Sequence, residues 1–373
     1  MAKQSALTEL LERNPELFTG KRVLFAGEIL DESLLQLVRE TSRAALIVDN
    51  YAIAAQMAAL FAKELPSAPP ATVTYKQVSV HFAAAEDALN ALKAEDPFDV
   101  LCLSVHKSKA VSQSLLHDFS ALLTDGATIA VAGANDGGGR SAHQLLKNCA
   151  DVYKKDTARK CTLFCGTYHR ESPFASPAGV QDLTLSFSVK DDHLRINTED
   201  ADSRTLALAQ NVAVFSPAAL DKGTALLIES AALADIRGKS LLDLCCGCGV
   251  VGMSLAPFAG AVTYCDVSAE ALSLTARNLQ ALGLEGTVRA ASFLEGMGKY
   301  DVIVVNPPFH QGVNVAISPT ITMLKSLKEH LNTKGCAYVV YNRHLNYAAA
   351  LEEGYTVSKV AEKKGFTVIR VSV

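Results

Sequence analysis

The chain has 373 residues, 49% of them hydrophobic, no Trp and a formal net charge of −4. That length exceeds one ordinary domain and points to two of about 180 residues, each with apolar residues enough for its own core. The charge argues against a protein that coats nucleic acid through a global basic field, although a local basic patch is compatible with it. No apolar run is long enough for a membrane-spanning helix, so no membrane role is expected.

MAKQSALTELLERNPELF opens the chain. It lacks an apolar core and a cleavage signature, so it is read as an amphipathic helix and not as a signal peptide. Nine Cys without an export signal suit a reducing, cytoplasmic setting in which thiols stay unpaired. KRVLFAGEI (21–29) and AALIVDNY (44–51) follow as short apolar strands, the second ending in an Asp. From 98 to 133 comes FDVLCLSVHKSKAVSQSLLHDFSALLTDGATIAVAG. It reads as aromatic-Asp-Val, strand, polar loop, amphipathic helix, a turn with Gly, then strand. KNCADVYKKDTARKCTLFCGTYHR (147–170) carries six Lys or Arg against two Asp. Lys154, Lys155, Arg159 and Lys160 are its candidate RNA contacts. An ordinary solvated face is the competing reading.

A join is expected within ESPFASPAGVQDLTLSFSVKDDHLR (171–195), where two Pro precede an alternating strand. Beyond it the first series repeats. KSLLDLCCG (239–247) echoes the first strand, AVTYCDVS (261–268) the second, and YDVIVVNPPFHQG…GCAYVVYN (300–342) the 98–133 unit. Strands alternating with helices indicate mainly parallel sheets. The expected fold is therefore α/β, two tandem copies of one domain, spanning 1–180 and 181–373. The first copy has Ala26-Gly27-Glu28 where the second has a Gly-x-Gly loop, and Ser104-Val105-His106-Lys107 where the second has Asn306-Pro307-Pro308-Phe309. It keeps the scaffold without the site, and is expected to be a degenerate copy used for structure or recognition.

Chemistry is expected in the second copy. LLDLCCGCGVVGMSLA (241–256) is a strand, a tight loop and a helix start, with Asp243, Gly247 and Gly249 forming D-x-x-x-G-x-G. Glycines there let the backbone turn and a ligand approach closely. Asp266, ending the next strand, suits the hydroxyls of a ribose. GCGVVG also fits a dinucleotide fingerprint. The Asp before the first Gly and the NPPF corner downstream favour S-adenosylmethionine instead. Cys245, Cys246 and Cys248 contain C-x-x-C, but no second pair follows at finger spacing. Small buried residues are the better reading there, and no metal is expected.

The corner at 306–309 joins an apolar strand to two consecutive prolines, which fix two φ angles and remove two donors. Such a corner is rigid and rich in acceptors. The Asn306 side-chain oxygen and the Pro307 carbonyl can accept both N–H groups of a planar amine, aim its lone pair at a methyl donor and stabilise developing positive charge. Phe309 can stack on a base. A stiff turn is the alternative for Pro-Pro alone.

With these motifs in place, the second half resembles the class I S-adenosylmethionine-dependent methyltransferases of the amino-methylating group. Nearly the whole chain resembles 16S rRNA guanine-N2 methyltransferases. The match rests on RNPELFTGKRVLFAG, GANDGGGRSAHQLL (133–146), KKDTARKCTLF (154–164), VFSPAALDKGTALLI (214–228), DVSAEAL (266–272) and NPPFHQG (306–312). The resemblance implies two Rossmann-like methyltransferase domains, the first without cofactor binding. It implies S-adenosyl-L-methionine as cofactor and 16S rRNA within the assembled 30S subunit as partner, with the chain expected to act as a monomer. By position, Asp243, Gly247, Gly249 and Asp266 would bind the cofactor. Gly223 and Thr224, in the Asp221-Lys222-Gly223-Thr224 turn, would close over its methionine end, and Ser292 would meet its adenine. Asn306 to Phe309 would hold the guanine amine, and Asn342 would touch the base. Cys245 and Cys248 stand where the family often has Gly and Ala, and Gln311 where Asp is common. Adenine-N6 and release-factor glutamine methyltransferases share similar corners. A non-catalytic ribosome-assembly factor and an NAD oxidoreductase are the readings from other classes.

Overall fold

Short apolar strands alternating with helices build two main sheets, one in each of two units, Met1–Gly179 and Val180–Val373. The computed structural model describes residues 4–177, 182–198, 200, 202–214, 219–308, 319–345, 347–352 and 354–373.

In the first unit α1 (Ala6–Glu12) is capped by Ser5, whose side chain accepts from the Thr8 N–H. The chain continues through β1 (Arg22–Gly27), β2 (Arg43–Ile47), α2 (Tyr51–Leu60), β3 (Ala71–Tyr75), β4 (Val78–Phe82), α3 (Ala85–Leu92) and β5 (Phe98–Ser104). It ends with α4 (Lys109–Ser120), β6 (Leu123–Ala134), β7 (Cys149–Ala158) and β8 (Cys161–Tyr168). Among the described residues these strands form an eight-stranded sheet in the order β3-β4-β2-β1-β5-β6-β8-β7. Its centre is parallel, while β3 and the β7–β8 hairpin run antiparallel to their neighbours. Leu24, Leu101, Leu103, Ile129 and Val131 are fully buried in the core, with Phe98 and Phe119 packed among them.

The second unit opens with β9 (Leu183–Lys190), β10 (His193–Ile196) and β11 (Arg204–Leu208), a small antiparallel sheet. Then come α5 (Lys222–Ser230), α6 (Leu233–Ile236), β12 (Ser240–Leu244), α7 (Val250–Leu255), β13 (Ala261–Asp266), α8 (Ala269–Leu282) and β14 (Thr287–Ala290). β15 (Tyr300–Val305), α9 (Pro319–His330), β16 (Leu331–Asn342), α10 (Tyr347–Leu351), β17 (Thr356–Lys363) and β18 (Phe366–Ser372) complete it. The main sheet runs β14-β13-β12-β15-β16-β18-β17.

Apart from the edge strand β3, the two strand orders are the same. The correspondence extends to irregularities. Pairing of β5 with β6 jumps from Phe98↔Leu123 to Val100↔Thr128, and pairing of β15 with β16 jumps from Tyr300↔Leu331 to Val302↔Cys336. In both, two residues on one strand oppose five on the other. The repeated aromatic-Asp-Val has a physical cause as well. Asp99 accepts the main-chain N–H of Arg22, the first residue of β1, at 3.0 Å, and Asp301 accepts that of Ser240, the first residue of β12, at 2.9 Å. Each carboxylate satisfies a strand-end donor and sets the stagger of the two central strands. The chain is thus a tandem duplication of one α/β domain. Arg22 corresponds to Ser240, Gly27 to Cys245, Ser104 to Asn306 and Ala134 to Asn342.

Candidate active site

The C-terminal ends of β12, β13 and β15 converge, and the sequence-predicted residues of the second copy gather on that edge. The loop 245–249 is left-handed at alternate positions, with φ +59° at Cys245, +57° at Gly247 and +84° at Gly249. Glycine tolerates this backbone and cysteine does so at a cost. A Cβ at Gly249 would lie 2.7 Å from the Met253 methyl, so that glycine is needed for packing as well. A Cβ at Gly247 would meet nothing within 4 Å, which leaves its Cα face open to a ligand. Gly252 belongs to the packing, since a Cβ there would sit 2.4 Å from the Tyr264 ring.

Two carboxylates brace the loop. Asp243 is only 2% exposed, and its Oδ2 accepts the Gly252 N–H at 2.7 Å. Burial pushes its carboxyl up to about 8, with the Gly252 N–H opposing and nearby Asp266 adding to the rise. Asp243 therefore sits beneath the loop and anchors the start of α7 rather than facing the crevice. Asp266 is half-buried. It accepts the N–H of Gly247 at 3.0 Å, of Val267 at 2.8 Å and of Ser268 at 3.1 Å. Burial raises its carboxyl too, against the pull of those three donors. Ser292 lies two residues beyond β14, whose Ala290 pairs with Asp266, and so shares that end of the edge.

At the other end Asn306 follows β15. Its Nδ2 donates to Thr224 Oγ1 at 2.9 Å and lies 3.4 Å from Asp221 Oδ2. Asp221 caps α5, accepting the Thr224 N–H at 2.9 Å and its hydroxyl at 3.3 Å. The carboxylate can only accept, so the amide nitrogen must be the atom that faces it. That fixes Asn306 Oδ1 on the opposite side, where it is buried and has no partner among the described residues. An orphaned buried acceptor is costly unless a ligand donor meets it. Pro307 is buried and Pro308 exposed. Phe309 and Gln311 lie outside the described residues. Gly223 fits under Phe366, since a Cβ would come within 2.8 Å of that ring. Phe366 pairs with Asn342 across β18 and β16, which places Asn342 on the same rim.

Two residues escaped the sequence reading. Thr275 and Asn278, on α8, are polar yet buried. Thr275 Oγ1 donates to the Gly247 carbonyl at 2.8 Å. Asn278 Nδ2 donates to the carbonyls of Cys248 at 3.1 Å and Ala209 at 3.2 Å, while its Oδ1 accepts the Ala209 N–H at 2.9 Å. Both fasten the glycine loop from behind. The available signal was two polar residues, three apart, on the apolar face of an otherwise ordinary helix.

The four candidate RNA cations of the first unit do not form a free patch. Lys155 pairs with Glu16 at 2.7 Å and Arg159 with Glu9 at 2.6 Å. These acids lie far back in sequence, so local charge counting overstated the patch. Lys154 and Lys160 are exposed. Among the described residues no group of three or more His, Cys, Asp or Glu could hold a metal. Burial drives the thiols of Cys245 and Cys246 well above their ordinary range, which suits packing rather than thiolate chemistry. Among those residues, too, no helix is long and apolar enough to cross a membrane.

Comparison with known proteins now bears on the site. Residues 8–178 match the family model for the methyltransferase small domain N-terminal region, and residues 182–370 match that for the methyltransferase small domain. The chain is 33% identical over 366 residues to ribosomal RNA small subunit methyltransferase C of Aeromonas hydrophila, covering 95% of this chain and 94% of the relative. The chain belongs to the ribosomal RNA small subunit methyltransferase C family. The family's Klebsiella pneumoniae member is 31% identical over 376 residues, covering 99% of this chain and 97% of its own. The fold is shared with a solved structure described as T. thermophilus 16S rRNA N2 G1207 methyltransferase in complex with AdoMet and guanosine. It is 19% identical, with a TM-score of 0.75 over 99% of this chain and 92% of that one.

Proposed function

We propose that this chain methylates the exocyclic N2 amine of a guanine in 16S rRNA, with S-adenosyl-L-methionine as methyl donor and the assembled 30S subunit as substrate. The observation that carries the amine-acceptor reading is the orphaned Asn306 Oδ1, held in orientation by Thr224 and Asp221. An aromatic amine is a weak nucleophile because its lone pair is delocalised into the ring. Asn306 Oδ1 accepts one amine N–H and the Pro307 carbonyl the other, which turns the lone pair out of conjugation and stabilises the cation as it forms. No strong base is required, since the methylated amine loses its proton readily, and positioning supplies most of the acceleration. Phe309 is assigned to stacking on the base and Asn342 to its edge.

The cofactor fits the residues present. Gly247 leaves its Cα face open, and Asp266, half-buried, lies beside it and accepts its N–H. When bound, S-adenosylmethionine supplies an electrophilic methyl on its sulfonium. Gly247, Gly249 and Asp266 would hold it and Ser292 would meet its adenine, while Asp243, Thr275 and Asn278 keep the loop in shape. The first unit is assigned to structure and recognition, acting in the cytoplasm with the rest of a monomeric chain. At its corresponding positions stand Ile29 for Gly247 and Ser104 for Asn306. The Ser104 hydroxyl is already donated to the Glu28 carbonyl at 2.7 Å.

Purified protein with labelled S-adenosylmethionine tests the reading against 30S subunits, deproteinised 16S rRNA and release factor. Label at one guanine N2 of the 30S subunit is expected, together with loss of one primer-extension stop in rRNA from cells lacking the protein. Label on adenine or on release factor glutamine, with unmarked subunits, overturns it, and so does the absence of any transfer.

A further inference from the structure

The β17–β18 hairpin turns at the catalytic edge of the second unit. Asn342 pairs with Phe366, Phe366 pairs back with Lys363, and the Arg343 N–H donates to the Gly365 carbonyl at 2.9 Å. The turn Lys363-Lys364-Gly365 is therefore held beside Asn342, at the rim that ends in the Asn306 corner. Lys363 and Lys364 are both exposed, and neither side chain has an ion-pair or hydrogen-bond partner among the described residues. Lys359 and Arg343 lie next to them and share a single acid, Glu362, at 3.4 and 3.3 Å. Two cations thus share one carboxylate, and the two lysines of the turn beside them have none.

The duplication supplies a comparison. In the first unit the same turn is Arg159-Lys160, where the Asn135 N–H donates to the Lys160 carbonyl at 2.7 Å just as Arg343 binds Gly365. There the arginine is neutralised by Glu9 of α1. Ser5 caps α1 through the Thr8 N–H as Asp221 caps α5 through the Thr224 N–H, so the counterpart of Glu9, four residues past its cap, is Ala225. The copy that carries the acceptor corner has lost the neutralising acid, keeps a cation at the position of Arg159 as Lys364, and adds Lys363 where the first unit has Ala158.

We propose that the Lys363-Lys364 turn, flanked by Lys359 and Arg343, is an RNA-docking site that grips two phosphates of the strand bearing the target base. This rests on the rRNA reading above for the identity of the strand. A flexible lysine pair suits phosphates whose exact placement varies, since each ammonium acts as a point charge with rotatable donors. A site on the same rim as the acceptor corner fixes the backbone next to the base being modified.

The test uses the full chain and its K363Q/K364Q variant. Binding to deproteinised 16S rRNA is measured across salt concentrations, with poly-L-glutamate as a second ligand. Loss of two phosphate contacts is expected to reduce the log–log salt slope by about 1.4 to 1.8 and to weaken binding about tenfold near physiological salt. An unchanged thermal midpoint shows that the fold is intact. Native-like slope and affinity overturn the proposal, as does loss of poly-L-glutamate binding with RNA binding kept, which assigns the turn to an acidic polypeptide. Binding rather than methylation is read. A native protein that binds rRNA through this turn but methylates no guanine sinks the proposed reaction and leaves the docking site standing.

Discussion

Thr224 Oγ1 donates its hydroxyl to Asp221 and accepts the Asn306 amide N–H at 2.9 Å, and this bond joins the Asp221 carboxylate in setting which way the carboxamide faces. Without it, the rotation that exchanges nitrogen and oxygen opposes only the longer 3.4 Å contact to Asp221. Thr224→Val keeps the shape and removes the acceptor. Turnover is expected to fall about tenfold, with little change in the KM for S-adenosylmethionine, because the lost effect appears when charge develops on the amine. Thr224→Ser restores the hydroxyl and should recover most of the activity. Equal turnover of the Val variant and native enzyme would show that the amide is oriented by other means.

Asn306→Ala removes the acceptor itself. The expected loss in turnover exceeds tenfold, about 1.4 kcal/mol of transition-state stabilisation or more. Cofactor affinity, measured by calorimetry, should stay near native. If turnover is near normal, the corner plays no part in the chemistry.

The glycine loop could be read from residue types because a left-handed backbone selects glycine, and Gly247 and Gly249 advertise it. Cys245 sits at φ +59° in the same loop without any such mark. Asp99 and Asp301 were visible as a repeated aromatic-Asp-Val, but their reason, a bond to the first N–H of the neighbouring strand, depends on a partner 77 and 61 residues away. Long-range side-chain to backbone bonds leave no trace of the partner, so Thr275 and Asn278 showed in the sequence only as two polar residues on an apolar helix face. For the same reason the cations at Lys155 and Arg159 looked free. Their acids are on the opening helical segment. The alternation of strands and helices, and with it the parallel sheets, followed from periodicity, whereas the extra edge strand β3 did not, since nothing in the second copy announces it.

Gly27 and Cys245 occupy equivalent left-handed positions, at φ +93° and +59°. A Cβ at Gly27 would fall 1.9 Å from the Ser104 carbonyl oxygen, which is backbone and cannot step aside. Gly27→Ala is expected to destabilise the first unit by about 3 kcal/mol or more, through clash and strain together. Cys245→Gly gives up a small half-buried side chain but relieves about 1 kcal/mol of backbone strain. Its melting temperature should equal or exceed the native one, and Cys245→Val, branched at Cβ, should melt lower. The reverse order of the two Cys245 variants would show that packing outweighs backbone strain at this turn.

Asp243 makes stability depend on pH in a defined direction. Its carboxyl titrates near 8 in the folded chain because it is buried under the loop, against about 3.9 for a free aspartate. Between those values the folded state holds a proton that the unfolded state lacks, so stability falls as pH rises. The contribution is full below about 4 and is lost as pH passes 8. Asp243→Asn keeps an oxygen for the Gly252 N–H and does not titrate. The stability of the variant relative to native should therefore grow by about 1.4 kcal/mol per pH unit between pH 5 and 7. Asp266, raised in the same direction, remains in the variant and leaves it a residual slope. Chemical denaturation at several pH values measures the difference. Parallel profiles for the two proteins would mean that Asp243 is ionised in the folded state, with the loop paying no penalty for its charge.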